Sequence, residues 1–422
     1  MMIDDFRPSN QPRRQSDSLK QNSENFQTPD EAAATDDVED QAIIPVEPLE
    51  EAAQDTMARN KKPNFKNSRR GRFSPHWPRT KKCWTGLVVV VVLLLIGGFL
   101  LLDKHSKVPD ITSFTTTAKP KPATVASRLT GVQVTPALAK LPVTGVMIEN
   151  SIDARPQSGL SQAGVVFEAL AEGGITRFMA LYEEGQPTSI GPVRSARPYF
   201  IDWLLPFDAG YAHVGGSPAA LSEIQDLNVR DMNQFYNGSY YTRISSRQAP
   251  HNVYTSMAQL SALEQSKGWT TSNFVGFPRK SDSPSKQPTA TTINMNPSNS
   301  QMAVNYTYDP TKNSYKRSEA GAPMIDANTG QQLEPKVVIA IIVPWTDGAL
   351  DSSGAYYTDY SDIGSGAVYV FQDGTVTQGT WTKSTQTSQI QFNNASGTPI
   401  KLNAGQTWIT ALGSSSEVSY SN

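Results

Sequence analysis

Apolar positions follow three patterns along this chain. Residues 85–102 (TGLVVVVVLLLIGGFLLL) form an uncharged run of 18 residues. At about 1.5 Å of rise per residue, that is close to the minimum needed to cross the hydrocarbon layer of a bilayer, and it predicts one transmembrane helix. From residue 141 onward the apolar segments are short. Those at 143–149 and 164–169 are bounded by turn residues, and 176–183 mixes β-formers, so three strands are expected. Helices are expected at 198–205, 218–227 and 256–267; in the last, Met257, Leu260 and Leu263 recur at helical spacing, the pattern of a packing stripe.

Beyond a Ser/Pro/Thr/Asn-rich interval at 271–300, strand patterns take over at 303–308, 336–343, 366–372, 375–383, 388–392, 398–402 and 406–412. Asp373-Gly374 between two of them is a hairpin turn signal. Residues 337–343 are continuously apolar, as expected of a strand covered on both faces. The expected fold class is α+β. A mixed α/β domain over 141–270 is followed by a linker or long loop at 271–300, a mostly antiparallel β domain over 301–412 and a short tail at 413–422.

Charge changes the picture at the N-terminus. Residues 30–51 hold nine carboxylates and no basic residue, whereas 61–82 hold nine Lys/Arg and no acid. Such segregated charge with few large apolar residues predicts a disordered tail over 1–84. The nine basic residues flanking the apolar run place that tail in the cytoplasm, so the rest of the chain is expected outside, on a Thr/Pro/Ala/Lys-rich stalk at 103–140. Cys83, the single cysteine, precedes the apolar run, so it lacks the position of a lipoprotein cysteine, and the exterior part has no disulfides. Of 37 basic and 39 acidic residues, 14 of each lie before Cys83, which leaves the exterior part at −2 and argues against nucleic-acid binding.

Candidate chemistry concentrates in five segments between Ala154 and Asn252: ARPQSG, AEGGITRF, GPVRSARP, HVGGSP and APHN. Arg194 and Arg197 precede a helix start at Pro198, where fixed guanidinium charges and unpaired backbone N–H groups could hold a phosphate or carboxylate. His213, Gly215, Gly216 and Ser217 repeat that logic, with a strand end, two glycines and a Ser-Pro helix start. Arg177 follows the Gly173-Gly174 turn. His213 reads equally well as a hydrogen-bonded structural histidine or a ligand, while His251, in a loop, is the better site candidate. Glu168 and Glu172 suit either an acid–base pair or the neutralisation of nearby arginines. Metal binding is not expected, since His213 and His251 are far apart without cysteine or a HExxH spacing, and no cofactor motif is present.

These segments, in this order, resemble the YerB-like family of bacterial envelope proteins. The resemblance covers roughly 141–412 through GVMIENSIDARPQSGLSQAGVVFEALAEGGITRF, IGPVRSARPYFID, HVGGSP and APHNVYTS, then GSGAVYVFQDG, Trp381 and LNAGQTWI. It implies a two-part envelope protein of a family whose biochemical function is not established. Members are commonly anchored by an N-terminal lipid-bearing cysteine, from which this chain departs through its apolar run at 85–102. The expected function is a single-pass, extracytoplasmic module that binds an anionic envelope ligand, a wall polymer or a lipid-linked phosphate, through Arg177, Arg194, Arg197, His213, the 215–217 loop and His251. An envelope enzyme acting on lipid-linked or glycan substrates, or a protein-docking module, are the alternatives.

Overall fold

Residues 123–422 are described by the computed structural model. The expected disordered tail (1–84), the transmembrane run (85–102) and the stalk up to residue 122 lie outside the described residues. Among the described residues no helix is long and apolar enough to cross a membrane.

The first half of the described chain contributes strands β1 (Thr144–Glu149), β2 (Val165–Glu172) and β3 (Ile175–Tyr182), helix α1 (Pro198–Leu204), β4 (Gly210–His213), α2 (Pro218–Asp226), β5 (Arg230–Asn233) and α3 (Met257–Ser266). The second half adds β6 (Thr292–Met295), β7 (Val304–Asp309), β8 (Ser314–Glu319), β9 (Ala322–Pro323), β10 (Val337–Ile342), β11 (Trp345–Leu350), β12 (Tyr356–Tyr360), β13 (Gly364–Gln372), β14 (Thr375–Lys383), β15 (Gln391–Asn394), β16 (Thr407–Leu412) and β17 (Val418–Ser421).

One mixed sheet runs through both halves in the order β15-β14-β13-β10-β16-β2-β3-β1-β4-β5, with the β11–β12 hairpin joined to β2 through Tyr357 and Glu172. Its centre is the parallel pairing of β16 with β2, from Thr407 opposite Val165 to Thr410 opposite Glu168. A smaller antiparallel sheet has the order β9-β8-β7-β6-β17. Helices α1 and α2 pack on one face of the large sheet, where Tyr199, Phe200, Trp203 and Ile224 meet Met147, Phe167, Ile339 and Ile409. The opposite face is covered by α3, through Met257, Leu260 and Leu263, and by the small sheet.

This architecture corrects the expected α+β class. The described residues are mostly β, with α-helices of only seven, nine and ten residues. The helix starts are where local signals placed them: Pro198 and Pro218 occupy first-turn positions, and Ser217 and Ser256 cap α2 and α3 by accepting from Ala220 N and Gln259 N. What local periodicity could not show is that strands 242 residues apart in sequence, Thr407 opposite Val165, would share one sheet, so that three short helices decorate it instead of forming an α/β domain. Within 271–300, Arg279–Lys280 pairs with Leu402–Asn403 and β6 sits inside the small sheet between β7 and β17. β6 is rich in polar residues, yet its alternate Ile293 and Met295 are buried.

Where the two sheets meet, Arg317 of β8 reaches into the core and donates to Glu168 Oε1 at 3.1 Å, its guanidinium 4.3 Å from the Trp408 ring. Trp408 Nε1 and Thr410 Oγ1 donate to Glu168 Oε2 at 2.8 and 3.2 Å. Glu168 is therefore a fully buried, fully partnered carboxylate, because a charge taken out of water survives only with such compensation.

Candidate functional site

The β2–β3 hairpin closes through Gly173 and Gly174, both at positive φ, a backbone that glycine adopts without a Cβ penalty. The turn sets Glu172 and Arg177 side by side: Arg177 Nη2 donates to Glu172 Oε1 at 2.6 Å, and its Nη1 to the Ser195 carbonyl at 3.0 Å and Ser195 Oγ at 3.2 Å. Arg197, the residue before α1, turns back onto the same carboxylate. Its Nε donates to Glu172 Oε2 at 3.1 Å, its Nη2 pairs with the same oxygen, and its Nη1 reaches Ser195 Oγ and the Ala196 carbonyl. Its guanidinium also lies 4.9 Å from the Tyr357 ring. Both arginines are buried.

Electrostatics follow from this packing. Burial disfavours the Glu172 carboxylate, but Arg177 and Arg197 overcome that and hold its pKa below the ordinary value. Arg177 is buried too, yet Glu172 more than offsets the cost and its pKa is raised. Arg197 is shifted down, first by burial and then by Arg177, since one carboxylate serves two cations.

Arg194 and His251 belong to a neighbouring carboxylate, Glu149 at the end of β1. His251 Nδ1 lies 2.9 and 3.0 Å from the two Glu149 oxygens, and Ser151 Oγ donates to Oε1 at 2.9 Å. Arg194 Nε is 3.3 Å from Glu149 Oε1, a charge contact without hydrogen-bond alignment, since Nε has no hydrogen-bond partner among the described residues. Burial lowers the Arg194 pKa, with Glu149 opposing and Arg177 reinforcing. The Arg194 and His251 side chains retain 26 % and 21 % of their exposure, so these two form the open face of the cluster. Three arginines and His251 thus face two glutamates, which leaves a local positive excess.

The other predicted residues lie beside this cluster in a different role. His213 is fully buried between the Gly215 carbonyl (Nδ1, 2.7 Å) and Asp231 (Nε2, 2.9 Å). The Gly215 N–H donates to Asn233 Oδ1 at 3.1 Å, Gly216 bridges to Ala196, and Ser217 N donates to the Ala196 carbonyl while its Oγ caps α2. The N–H groups of Gly215 and Ser217 are therefore already spent inside the fold. The structure also brings in Glu149, Ser151, Ser195 and Tyr357, which the sequence did not single out. A carboxylate closing an otherwise apolar strand was the available signal for Glu149.

Residues 129–270 match the protein of unknown function (DUF3048) N-terminal domain, and 291–409 match the corresponding C-terminal domain. The protein YerB of Bacillus subtilis strain 168, named as a lipoprotein, is 31% identical over 330 residues, covering 77% of this chain and 95% of YerB. The chain belongs to the YerB-like family. The crystal structure of B. subtilis YerB matches with a TM-score of 0.63 at 28% identity, over 71% of this chain and all of that one. In family terms the Glu149, Glu172, Arg177, Arg194, Arg197 and His251 cluster belongs to the N-terminal segment, and the C-terminal segment supplies Tyr357 as one wall.

Proposed function

We propose that this protein is an extracytoplasmic envelope protein, attached to the membrane, that binds an anionic envelope ligand, a wall polymer or a lipid-linked phosphate, at the Arg194–His251 face. The attachment is supported by the apolar run at 85–102 and by the lipoprotein name of its relative YerB. One observation carries the ligand reading. Arg194 stands partly exposed over a cluster with more cationic than anionic groups, and its guanidinium has no aligned hydrogen bond among the described residues. A phosphate or carboxylate would supply the aligned acceptors that Glu149 does not. Arg177 and Arg197, neutralised in part by Glu172, act as the positive floor.

A column of immobilised poly(glycerol phosphate) tests this. The wild-type chain is expected to be retained and released by salt, and Arg194→Ala to weaken retention by roughly tenfold, the worth of one charge-assisted contact. Equal retention of the two chains ends the proposal. A second reading, an enzyme, draws on the Glu149–His251 pair: the carboxylate fixes Nδ1, and Nε2 has no partner among the described residues, the arrangement of an oriented general base. It predicts turnover of a lipid-linked phosphate that is lost in His251→Gln while binding persists.

A further inference from the structure

Tyr356 and Tyr357 are consecutive on β12, so their side chains leave the strand on opposite faces. Tyr357 lies against Arg197 in the cationic cluster. Tyr356 instead lines a separate cleft of about 660 Å³, within the usual range of small-molecule sites, between the β11–β12 hairpin and the Gly173-Gly174 turn of β2–β3.

The chemistry of this cleft is the opposite of the arginine cluster. No basic residue lines it. Asp347 is exposed and forms no ion pair among the described residues, and the side chains of Asn296 and Thr358 make no hydrogen bonds there either. The second acid, Glu417, is already engaged by Gly413 N at 3.0 Å and Ser414 Oγ at 3.3 Å. Anions are therefore disfavoured, and open acceptors and donors remain for a neutral polar ligand. Two large rings complete the lining, Trp345 at 37 % and Tyr356 at 52 % exposure. The indole edge lies against Gly413, where a Cβ would come within 2.7 Å of Trp345 Nε1; the missing side chain is the room in which the ring sits.

Exposed aromatic faces beside unpaired hydroxyl, amide and carboxylate groups match the two-sided chemistry of a pyranose. Its C–H face packs on an aromatic ring while its rim hydroxyls donate to a carboxylate and exchange hydrogen bonds with an amide. A peptide strand fits less well. β11 carries a bulge, since its pairing with β12 shifts register between Asp347 and Leu350 (three residue steps against two), and such a bulge disturbs the even row of N–H and C=O groups that strand addition needs. We infer that this cleft is a second binding site, for an uncharged glycan, with Trp345 and Tyr356 as stacking platforms and Asp347 as the principal hydroxyl acceptor.

Titration calorimetry with tetra-N-acetylchitotetraose and maltotetraose as probes tests the inference. At least one sugar is expected to bind at millimolar concentration or below. Trp345→Ala and Tyr356→Ala are each expected to weaken it roughly tenfold or more, Asp347→Asn by a smaller factor, and Trp345→Phe to restore much of the loss, which separates stacking from misfolding. Arg194→Ala is expected to leave sugar binding unchanged, so the failure of either site is read independently of the other. Absence of binding by both sugars overturns the inference, as do equal affinities across the ring variants, or binding of an extended peptide in place of the sugars.

Discussion

At the scale of single residues, the arginines that look alike in sequence separate into two kinds. Arg177 and Arg197 are buried and share Glu172, whereas Arg194 keeps an open guanidinium beside Glu149. Removing the shared carboxylate strands two cations in a low-dielectric site, and breaking such a buried pair costs about 3–5 kcal/mol. Glu172→Gln is therefore expected to lower the free energy of unfolding in guanidinium chloride by that amount, while Arg194→Ala, which removes a half-buried side chain with a single unaligned charge contact, costs about 1 kcal/mol. Comparable losses in the two variants would show that the arginines are energetically equivalent and that the division into floor and open face is wrong. The cluster's arginines and His251 were legible from composition and glycine spacing. Glu172 was legible too, as a carboxylate suited to neutralise nearby arginines. Glu149 was not, because its placement opposite Arg177 is a cross-strand register that no local window contains.

At the scale of elements, α3 is held against the sheet by a carboxyl in an unusual state. Glu264 is buried, its Oε1 accepts from Thr144 Oγ1 of β1 at 2.7 Å, and its Oε2 has no partner among the described residues. Burial, opposed by Thr144 and Arg230, raises its pKa to about 7. Because the folded value exceeds the unfolded one, the native state holds the proton more tightly. The resulting stability is fully present below about pH 4.5 and is lost as pH rises through about 7, an effect of about 3 kcal/mol. Thermal unfolding is thus expected to show the wild-type midpoint falling between acidic and mildly alkaline pH, and Glu264→Gln to flatten that fall. An unchanged profile in the variant would assign the pH dependence elsewhere. The helix itself was readable from Ser256 and its apolar stripe; the ionisation of Glu264 depends on what β1 and β4 place against it.

At the scale of the whole molecule, the decisive contact is β16 beside β2. It sets the last long strand of the C-terminal family segment against the edge of the N-terminal segment's strands, joining the two into one sheet, and it delivers Trp408 and Thr410 to Glu168. An isolated 129–270 fragment would expose the β2 edge and leave Glu168 without Arg317, a combination that favours aggregation over folding. Residues 123–422 are expected to unfold in one cooperative transition, and the fragment to give a poorly dispersed amide spectrum. A well-dispersed spectrum from the fragment would show that its core is self-sufficient.

Sequence alone determined the places where local physics dominates. Pro and Ser at helix starts, apolar runs that must be covered, the Asp373-Gly374 turn and the family motifs are all encoded within a few residues of one another. Only the tertiary structure decided that the described chain is mostly β, that Glu172 serves two arginines, and that Tyr357 lies against the cationic cluster while Tyr356 lines a separate cleft with no basic residue. Those outcomes depend on strand registers between segments far apart in the chain, and a register is fixed by how whole faces pack, a property that no single segment possesses.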